Sequence, residues 1–409
     1  ALAPHRAMKK VLVIASRFPW PPFSGDRLRV TIWLAALAGQ AEVALVAPEG
    51  NVPSDAPPFR FFPAARSVAG GARGVVRVLR ESLPLQTLLA APFGWSEAIA
   101  RAQKEAGPFD ATVVVLSRLD PWIRASLWRT GTPACPERSD PSRTGRSACP
   151  PLRVLDAIDS LRRNTEQRAG QAKPPLRWFW RGEERRLART EAAAAKTYDH
   201  VIVVNEEDLA DFDARGSAIS NGVVIGALEE QPRRFDFGFW GRLAYFANAD
   251  AAEYLLDEIW PLIRERKPDA TLVVGGAEAT KTVRRKANQA GVTLLSPVDH
   301  MPRLAREVRV ALLPLRYGSG ESTKTMEAAE AGCAIVGMPK AFRGVRALAA
   351  HARIASAPAA FADAAVSLLD DDAARATMAR ELRAAVAASH ARETTLARLA
   401  AIATQENAA

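Results

Sequence analysis

The segment from Gly318 to Gly332 holds the residues whose types and spacing best suit phosphate binding. Gly318 and Gly320 follow an apolar run, and a helix is predicted to begin at about Ser322. Glycine lets a ligand approach the backbone closely, and the N–H groups at a helix start favour an anion. Lys324 lies in the first turn of this helix, where a cation is unfavourable against the helix dipole unless an anion is nearby.

Glu327 follows Lys324 by three residues and therefore shares its helix face. A carboxylate there can accept two hydrogen bonds from a ribose diol, so the pair predicts a site for a nucleotide diphosphate. A simpler interpretation stays open: a glycine-containing loop, a capping Ser322 and an exposed Lys–Glu pair. The chain lacks G-x-x-x-x-G-K-[ST], and the loop after its first apolar run lacks G-x-G-x-x-G. These absences argue against a P-loop and against a dinucleotide-dependent oxidoreductase.

The elements that must position these residues alternate between strand and helix. Short runs rich in Val, Ile and Leu end in polar residues, which is typical of a parallel sheet covered on both faces. The runs are 11–16, 41–48, 109–117, 153–159 and 200–205, and then 237–243, 270–276, 292–298, 308–315 and 333–338. We therefore predict an α/β chain with two Rossmann-like, doubly wound parallel-sheet domains facing a central cleft.

A polar stretch at 220–234 separates the two series of runs and marks a domain boundary. We expect an N-terminal acceptor-side domain at 8–220 and a C-terminal donor domain at 221–385. A last helix at 386–409 is able to pack back on the N-terminal domain. Ligands of such sheets bind beyond the carboxyl ends of the strands, so the chemistry is expected in the loops that follow them.

Composition limits the class of protein. The chain has 409 residues, with 48% hydrophobic and 24% charged, which is typical of globular domains. No apolar run reaches about 18 residues and no signal peptide is evident, so we expect a cytoplasmic protein without a transmembrane helix. The net charge of +10 suits nucleic acid, an anionic membrane or anionic substrates. Because the basic residues are spread along the chain, nucleic acid is disfavoured. Cys333 is predicted to be a buried thiol, and Cys135 and Cys149 are expected to be free thiols.

Several segments resemble family 4 retaining glycosyltransferases, in particular the branch of polysaccharide and lipid-linked glycan pathways. The segments 239–276 (FWGRLAYF to VVGG) and 318–345 (GSGESTKTMEAAEAG to FRGV) resemble the second domain of that family. The segments 11–29 and 191–212 resemble its first domain, and only 130–151 looks like an insert. The resemblance implies the GT-B fold and sugar transfer from a nucleotide-diphosphate donor with retention of the anomeric configuration.

The same resemblance implies roles for individual residues. Arg242 and Lys324 would stabilise the donor diphosphate, and Glu327 would bind the donor ribose. The remaining donor-binding positions are Gly25, Val298, Gly320, Ser322 and Thr323, with Val298 near the base. No metal is implied, since these enzymes generally work without one.

Two departures from the family pattern stand out. Ser319 occupies the place of the first glutamate of an E-x7-E motif, and Ala247 occupies that of a lysine often found after GRL. The first departure leaves the recognition of the sugar open, and Lys324 would supply the charge lost in the second.

Asp159, at the end of the run 153–159, is the predicted catalytic polar group of the first domain, because relatives often carry a histidine or aspartate there. Asp156 is the neighbouring candidate, and either residue could instead cap the following helix. The cluster 370–372 is interpreted as a helix start rather than a metal site.

Two basic stretches suggest contact with a membrane surface. Arg recurs among small and apolar residues at 66–82, and Trp178, Phe179 and Trp180 lie between basic residues at 173–186. Aromatic side chains beside Arg and Lys suit a headgroup interface at the inner face of the cytoplasmic membrane. The alternative is that the aromatic residues pack under the helix as core.

The predicted function is retaining transfer of a sugar to a hydroxyl of a glycan or lipid-linked acceptor, with no cofactor. UDP is the favoured donor nucleotide and GDP the second candidate. Two alternatives stay open: a catalytically degenerate GT-B scaffold and a sugar-nucleotide 2-epimerase.

Overall fold

The computed structural model describes residues 8–22, 24–128, 151–212, 215–228, 232–298, 301–318 and 320–405. The chain forms two compact units, one of residues 1–219 and 395–409 and the other of residues 220–394. The expectations for Ser319, Cys135 and Cys149 fall outside the described residues.

The first unit is built on a parallel sheet of seven strands. They are β1 (Lys9–Ala15), β2 (Ala41–Pro48), β3 (Arg60–Ala64), β4 (Ala111–Val115), β5 (Leu152–Ile158), β6 (His200–Val203) and β7 (Gly216–Ala218). Their order across the sheet is β3-β2-β1-β4-β5-β6-β7. In the interior strand β1, Val11 is paired with Val43 of β2 on one side and with Ala111 of β4 on the other.

Helices cover both faces of this sheet. They are α1 (Gly25–Leu37), α2 (Val68–Arg80), α3 (Trp95–Ala106), α4 (Asp120–Leu127), α5 (Leu161–Gln171), α6 (Leu176–Ala195) and α7 (Glu206–Leu209). Val11 and Val13 of β1 belong to one apolar cluster, and Leu12 and Ile14 to the other. Because side chains alternate between the faces of a strand, burial on both faces explains the continuous apolar runs.

The second unit holds a parallel sheet of six strands. They are β8 (Phe235–Trp240), β9 (Leu272–Gly275), β10 (Thr293–Leu295), β11 (Val308–Leu313), β12 (Ala334–Gly337) and β13 (Arg353–Ile354), in the order β10-β9-β8-β11-β12-β13. The helices of its first half are α8 (Phe246–Tyr254), α9 (Trp260–Arg266), α10 (Lys281–Gln289) and α11 (Met301–Arg306). Then follow α12 (Thr323–Glu330), α13 (Arg346–Ala349), α14 (Pro358–Asp370), α15 (Asp372–His390) and α16 (Arg392–Thr404).

The C-terminal helices contribute to both units. Asp371 caps α15 by accepting a hydrogen bond from the Ala374 N–H at 2.9 Å, which confirms the interpretation of 370–372 as a helix start. From Thr395 onward α16 belongs to the first unit, where Leu399 and Ala403 are buried beside β1 and α1.

The predicted fold class is confirmed: each unit is a parallel sheet with helices on its faces. Cys333 is fully buried, as predicted, and its thiol donates to the Ala305 carbonyl at 3.2 Å. Among the described residues, none of the helices combines the length and apolar character needed to cross a bilayer. The same residues contain no cluster of three or more His, Cys, Asp or Glu suited to a metal ion.

Candidate functional site

The loop between β11 and α12 carries the glycine-containing segment. Gly318 has a φ of 136° and Gly320 a φ of 75°, both in the left-handed region that favours glycine. Ser322 is the residue before the first turn of α12, so the helix begins where the sequence predicts it. The loop thus leaves the carboxyl end of a central strand and delivers its polar residues to a helix start.

Lys324 lies across the backbone of Gly241, the residue that follows β8. A Cβ atom at position 241 would lie 2.6 Å from Lys324 Cε and 3.0 Å from Asn248 Nδ2, and the φ of Gly241 is 148°. Asn248 in turn donates to the Arg242 carbonyl at 2.9 Å. Gly241 is therefore the residue that lets the lysine approach the end of β8, directly beside Arg242.

Glu327 is held by the last residue of β8. Trp240 Nε1 donates to Glu327 Oε2 at 2.9 Å, and the indole is fully buried. Burial raises the pKa of Glu327, although the Trp240 hydrogen bond and the Lys324 charge oppose this. Burial likewise lowers the pKa of Lys324, and the Glu327 charge opposes the change. Lys324 and Glu327 are thus a partly desolvated, electrostatically coupled pair, not the exposed pair of the simpler interpretation.

Arg242 is half exposed and is paired with a residue that the sequence does not single out. Its Nη2 and Nε atoms donate to Glu278 Oε2 at 2.7 and 2.9 Å. Glu278 has a φ of 56°, which is uncommon for a residue with a side chain. Since an exposed ion pair contributes little free energy, a bound diphosphate can compete with Glu278 for the guanidinium.

The backbone donors of Ser322 and Thr323 are used within the protein. The Ser322 N–H donates to Arg343 O and the Thr323 N–H to Glu321 O, each at 3.1 Å. Their hydroxyls are therefore the groups through which these two residues can reach a phosphate. The Ser322 hydroxyl also shares a hydrogen bond of 2.9 Å with Thr325 Oγ1.

Val298 follows β10, and its side chain packs near Gly275 at the end of β9. The second unit therefore brings Arg242, Lys324 and Glu327 together at the ends of β8 and β11. Val298 follows β10, which is separated from β8 by β9. Gly320, Ser322 and Thr323 belong to the loop and first turn that carry Lys324. Gly25 and Asp159 belong to the first unit.

Gly25 is the first residue of α1, and open space surrounds the position of its missing side chain. The next residue, Asp26, accepts hydrogen bonds from Ser24 Oγ at 2.5 Å and Arg118 Nη2 at 3.0 Å. Burial raises the pKa of Asp26, but Ser24, Arg17 and Arg118 together hold it below its usual value. This charged cluster, which joins the ends of β1 and β4, was not found from the sequence.

Asp159 is half-buried beyond the end of β5, and its charge acts on Arg118 and on Glu191. The neighbouring candidate, Asp156, is fully buried and accepts from Arg29 Nε at 2.6 Å and Trp33 Nε1 at 2.7 Å. Because Asp156 is enclosed and paired, it cannot reach a substrate. Of the two aspartates, Asp159 is therefore the one that is not fully enclosed.

Glu191 of α6 connects the loops that follow β4 and β5. Its carboxyl group accepts from the Leu161 N–H at 2.8 Å, from Ser160 Oγ at 3.2 Å and from Ser117 Oγ at 3.5 Å. Burial raises the pKa of Glu191 to about 8, and the nearby Asp159 charge acts in the same direction. Nothing in the local sequence of α6 indicates this role.

Comparisons with known proteins agree with the two parallel-sheet units. Residues 234–371 match the family model of glycosyl transferases group 1. Across the whole chain, the fold matches WaaG, a glycosyltransferase involved in lipopolysaccharide biosynthesis. The identity is 15%, the TM-score 0.62, and the match covers 97% of this chain and 99% of that one. The chain therefore has the GT-B fold, and its second unit matches the glycosyl transferases group 1 family.

Two further structures show the same fold. HepE of Anabaena, solved with UDP and glucose, has 13% identity and a TM-score of 0.62, and the match covers 96% of this chain and 98% of HepE. Sucrose-phosphate synthase of Thermosynechococcus elongatus has 14% identity and a TM-score of 0.67, with coverages of 97% and 98%. No curated protein matches the chain by sequence.

Proposed function

We propose that the chain transfers a sugar from a nucleotide-diphosphate donor to an acceptor hydroxyl with retention of the anomeric configuration. The observation that carries the proposal is the Lys324–Glu327 pair, partly desolvated at the start of α12 and held against Trp240 and Gly241. It lies within the residues that match the glycosyl transferases group 1 model.

Each charged side chain of the candidate site has a proposed role in donor binding or in the transfer step. Lys324 and Arg242 neutralise the charge that develops on the diphosphate when the bond to the sugar breaks, and a preorganised cation is most effective where water is excluded. Glu327, oriented by Trp240, accepts hydrogen bonds from the ribose diol and so positions the donor. The departing phosphate oxygen takes the proton of the acceptor hydroxyl, and Asp159 is the protein group proposed to act beside the reacting sugar.

UDP is the proposed donor nucleotide and GDP the second candidate, with a glycan or lipid-linked acceptor. The structure of HepE with UDP and glucose supports a UDP donor in this fold. The involvement of WaaG in lipopolysaccharide biosynthesis supports an acceptor of the lipid-linked class.

Thermal-shift measurements with UDP, GDP, TDP and ADP test the donor site. We expect one diphosphate to raise the melting temperature of the protein, and Lys324→Ala to abolish the rise. Lys340→Ala is the matched control, because Lys340 is exposed in the same unit. No response to any of the four nucleotides would contradict a working donor site and favour the scaffold alternative.

Sugar transfer itself is followed by release of the nucleotide diphosphate. Since Glu327 and Lys324 both act on the donor, alanine at either position is expected to lower turnover at least a hundredfold. Glu265→Ala, an exposed glutamate of the same unit, should leave turnover unchanged. Full activity of both donor-site variants would contradict the assigned site.

A further inference from the structure

Helix α2 packs against the rest of the first unit through only a small part of its surface. Of its 13 residues, only Gly74 and Val78 are buried. A Cβ atom at position 74 would lie 2.3 Å from Ala91 Cβ and 3.3 Å from the Trp122 ring, so glycine allows the helix to lie directly on the unit. The rest of the helix surface is left to face outward.

The outward surface of α2 includes an aliphatic stripe. The exposed fractions are 92% for Val68, 47% for Val75, 65% for Val76 and 71% for Leu79. Their spacing of i, i+7, i+8 and i+11 places them on one side of the helix. Scattered exposed aliphatic residues are ordinary, but four on one stripe of one helix indicate a contact surface.

A basic stripe runs beside the aliphatic one. Arg73, Arg77 and Arg80 are spaced i, i+4 and i+7, and no Asp or Glu occurs between residues 56 and 80. Arg77 lies over the Trp122 ring at 5.1 Å and pairs with Glu81 at 3.1 Å, so it also fixes the helix to the unit. The charge of this surface is thus positive, which excludes a cationic partner and favours an anionic one.

A second exposed apolar group lies at the start of α6. Leu176, Trp178 and Phe179 are 59%, 67% and 43% exposed, so Trp178 and Phe179 do not form a core under the helix. Trp180 differs, because it is half-buried with the Arg168 guanidinium 4.4 Å from its ring centroid.

The two groups belong to connected elements. The Leu85 N–H, in the segment after α2, donates to Glu183 Oε2 of α6 at 2.7 Å. The stretch from residue 167 to residue 182 contains Arg and Lys but no acidic residue, which repeats the charge pattern of α2.

We infer that α2, together with the start of α6, lies in the headgroup layer of an anionic lipid membrane. Val68, Val75, Val76 and Leu79 enter the boundary of the acyl chains, while Arg73 and Arg80 contact lipid phosphates. The inference goes beyond the proposed transfer reaction, because it concerns a surface outside the donor site and would hold for an inactive protein too.

Vesicle co-sedimentation tests this surface with the full chain. We expect binding to vesicles of 70% phosphatidylcholine and 30% phosphatidylglycerol, and much weaker binding to pure phosphatidylcholine. The variant Val76→Ser/Leu79→Ser should bind at least about tenfold more weakly because it loses apolar contact area. Arg73→Glu/Arg80→Glu should lose about tenfold on the anionic vesicles, and added salt should reduce wild-type binding.

The matched control is Val52→Ser/Ile354→Ser, which removes two exposed aliphatic side chains outside α2 and α6. It should bind the anionic vesicles like the wild type. Equal binding by the control and both α2 variants would overturn the inference, as would equal binding of the wild type to both kinds of vesicle. Sedimentation equilibrium without lipid gives a separate check. A wild-type dimer that Val76→Ser/Leu79→Ser converts to monomer would assign the stripe to a second copy of the chain instead.

Discussion

The two units differ in how they use the charged residues at the carboxyl ends of their strands. In the first unit, Asp156 is fully buried and accepts hydrogen bonds from Arg29, Trp33 and the Ile158 N–H. In the second unit, Lys324 and Glu327 are half-buried. Within the part of the chain that the structure describes, Glu327 accepts a hydrogen bond from Trp240 through Oε2.

The difference separates charges that hold a fold from charges that can bind a ligand. A fully enclosed, hydrogen-bonded ion pair has its desolvation compensated inside the protein, so removing one partner mainly lowers stability. A half-buried pair with remaining hydrogen-bonding capacity can gain further compensation from a bound ligand. Substitutions at these positions should therefore affect stability in the first unit and donor binding in the second.

Asp156→Ala should give the largest loss of stability. Arg29 is fully buried, and removing the facing carboxylate leaves its charge without that counterion. We expect the free energy of unfolding to fall by about 3–5 kcal/mol, measured by urea denaturation. Glu327→Ala should cost less than about half as much. Equal losses of unfolding free energy for the two variants would contradict the distinction between a structural ion pair in the first unit and a ligand-binding pair in the second.

Glu191→Gln should change how stability depends on pH. The pKa of Glu191 is raised from 4.5 to about 8 in the folded protein, so the folded state holds a proton that the unfolded state has released. Stability from this group is full below pH 4.5 and is lost as pH rises through about 8. Between pH 5 and pH 9 the free energy of unfolding of the glutamine variant should therefore rise by a few kcal/mol relative to that of the wild type. Glu265→Gln, on an exposed residue, should show no such gain, and a parallel response of both variants would contradict the shift.

Gly241→Ala should weaken the proposed donor site of the second unit. The added methyl group would lie 2.6 Å from Lys324 Cε, and the φ of 148° is unfavourable for alanine. We expect at least a tenfold loss of diphosphate affinity by calorimetry, with about 1–3 kcal/mol of lost stability. Gly182→Ala is the control, since open space surrounds that helical position. Unchanged diphosphate affinity after the substitution at position 241 would show that binding does not require Lys324 to lie against Gly241.

Glu278→Ala should have the smallest effect. The Arg242–Glu278 pair is about half exposed at both ends, so its loss should change the free energy of unfolding by less than about 1 kcal/mol. Diphosphate affinity should stay the same or rise a few-fold, because Arg242 loses a competing partner. Calorimetry that showed a large loss of affinity would instead make Glu278 part of the donor site.

Most of the strands that the sequence predicts are buried on both faces, while the edge strand β10, with exposed Thr293 and Leu295, is predicted as well. β1 and β4 are continuous Val, Leu and Ile runs, and such runs indicate interior parallel strands. β3, β7 and β13 were not predicted. β3 contains Pro63, β7 begins with Gly216, and β13 has only two residues. All three lie at or near sheet edges, where the apolar signal is weak.

Some residues of the candidate site could be found from local sequence spacing, whereas others depend on contacts between residues far apart in the chain. Lys324 and Glu327 were found because they share one helix face. Trp240 holds Glu327 across 87 positions of sequence, and Glu278 holds Arg242 across 36, so no local pattern reveals either contact. The choice between Asp156 and Asp159 likewise depends on Arg29, 127 positions away from Asp156.

The central claim is that α12 begins at a nucleotide-diphosphate site in which Glu327 holds the ribose and Lys324 the phosphates. Titration calorimetry with UDP and 2′-deoxy-UDP tests it most directly. We predict that wild type prefers UDP about tenfold, as expected for a lost hydrogen bond to a charged group. Glu327→Ala should lose both affinity and that preference, whereas Lys324→Ala should lose affinity and keep the preference. Wild-type affinity for UDP in both variants would contradict the account.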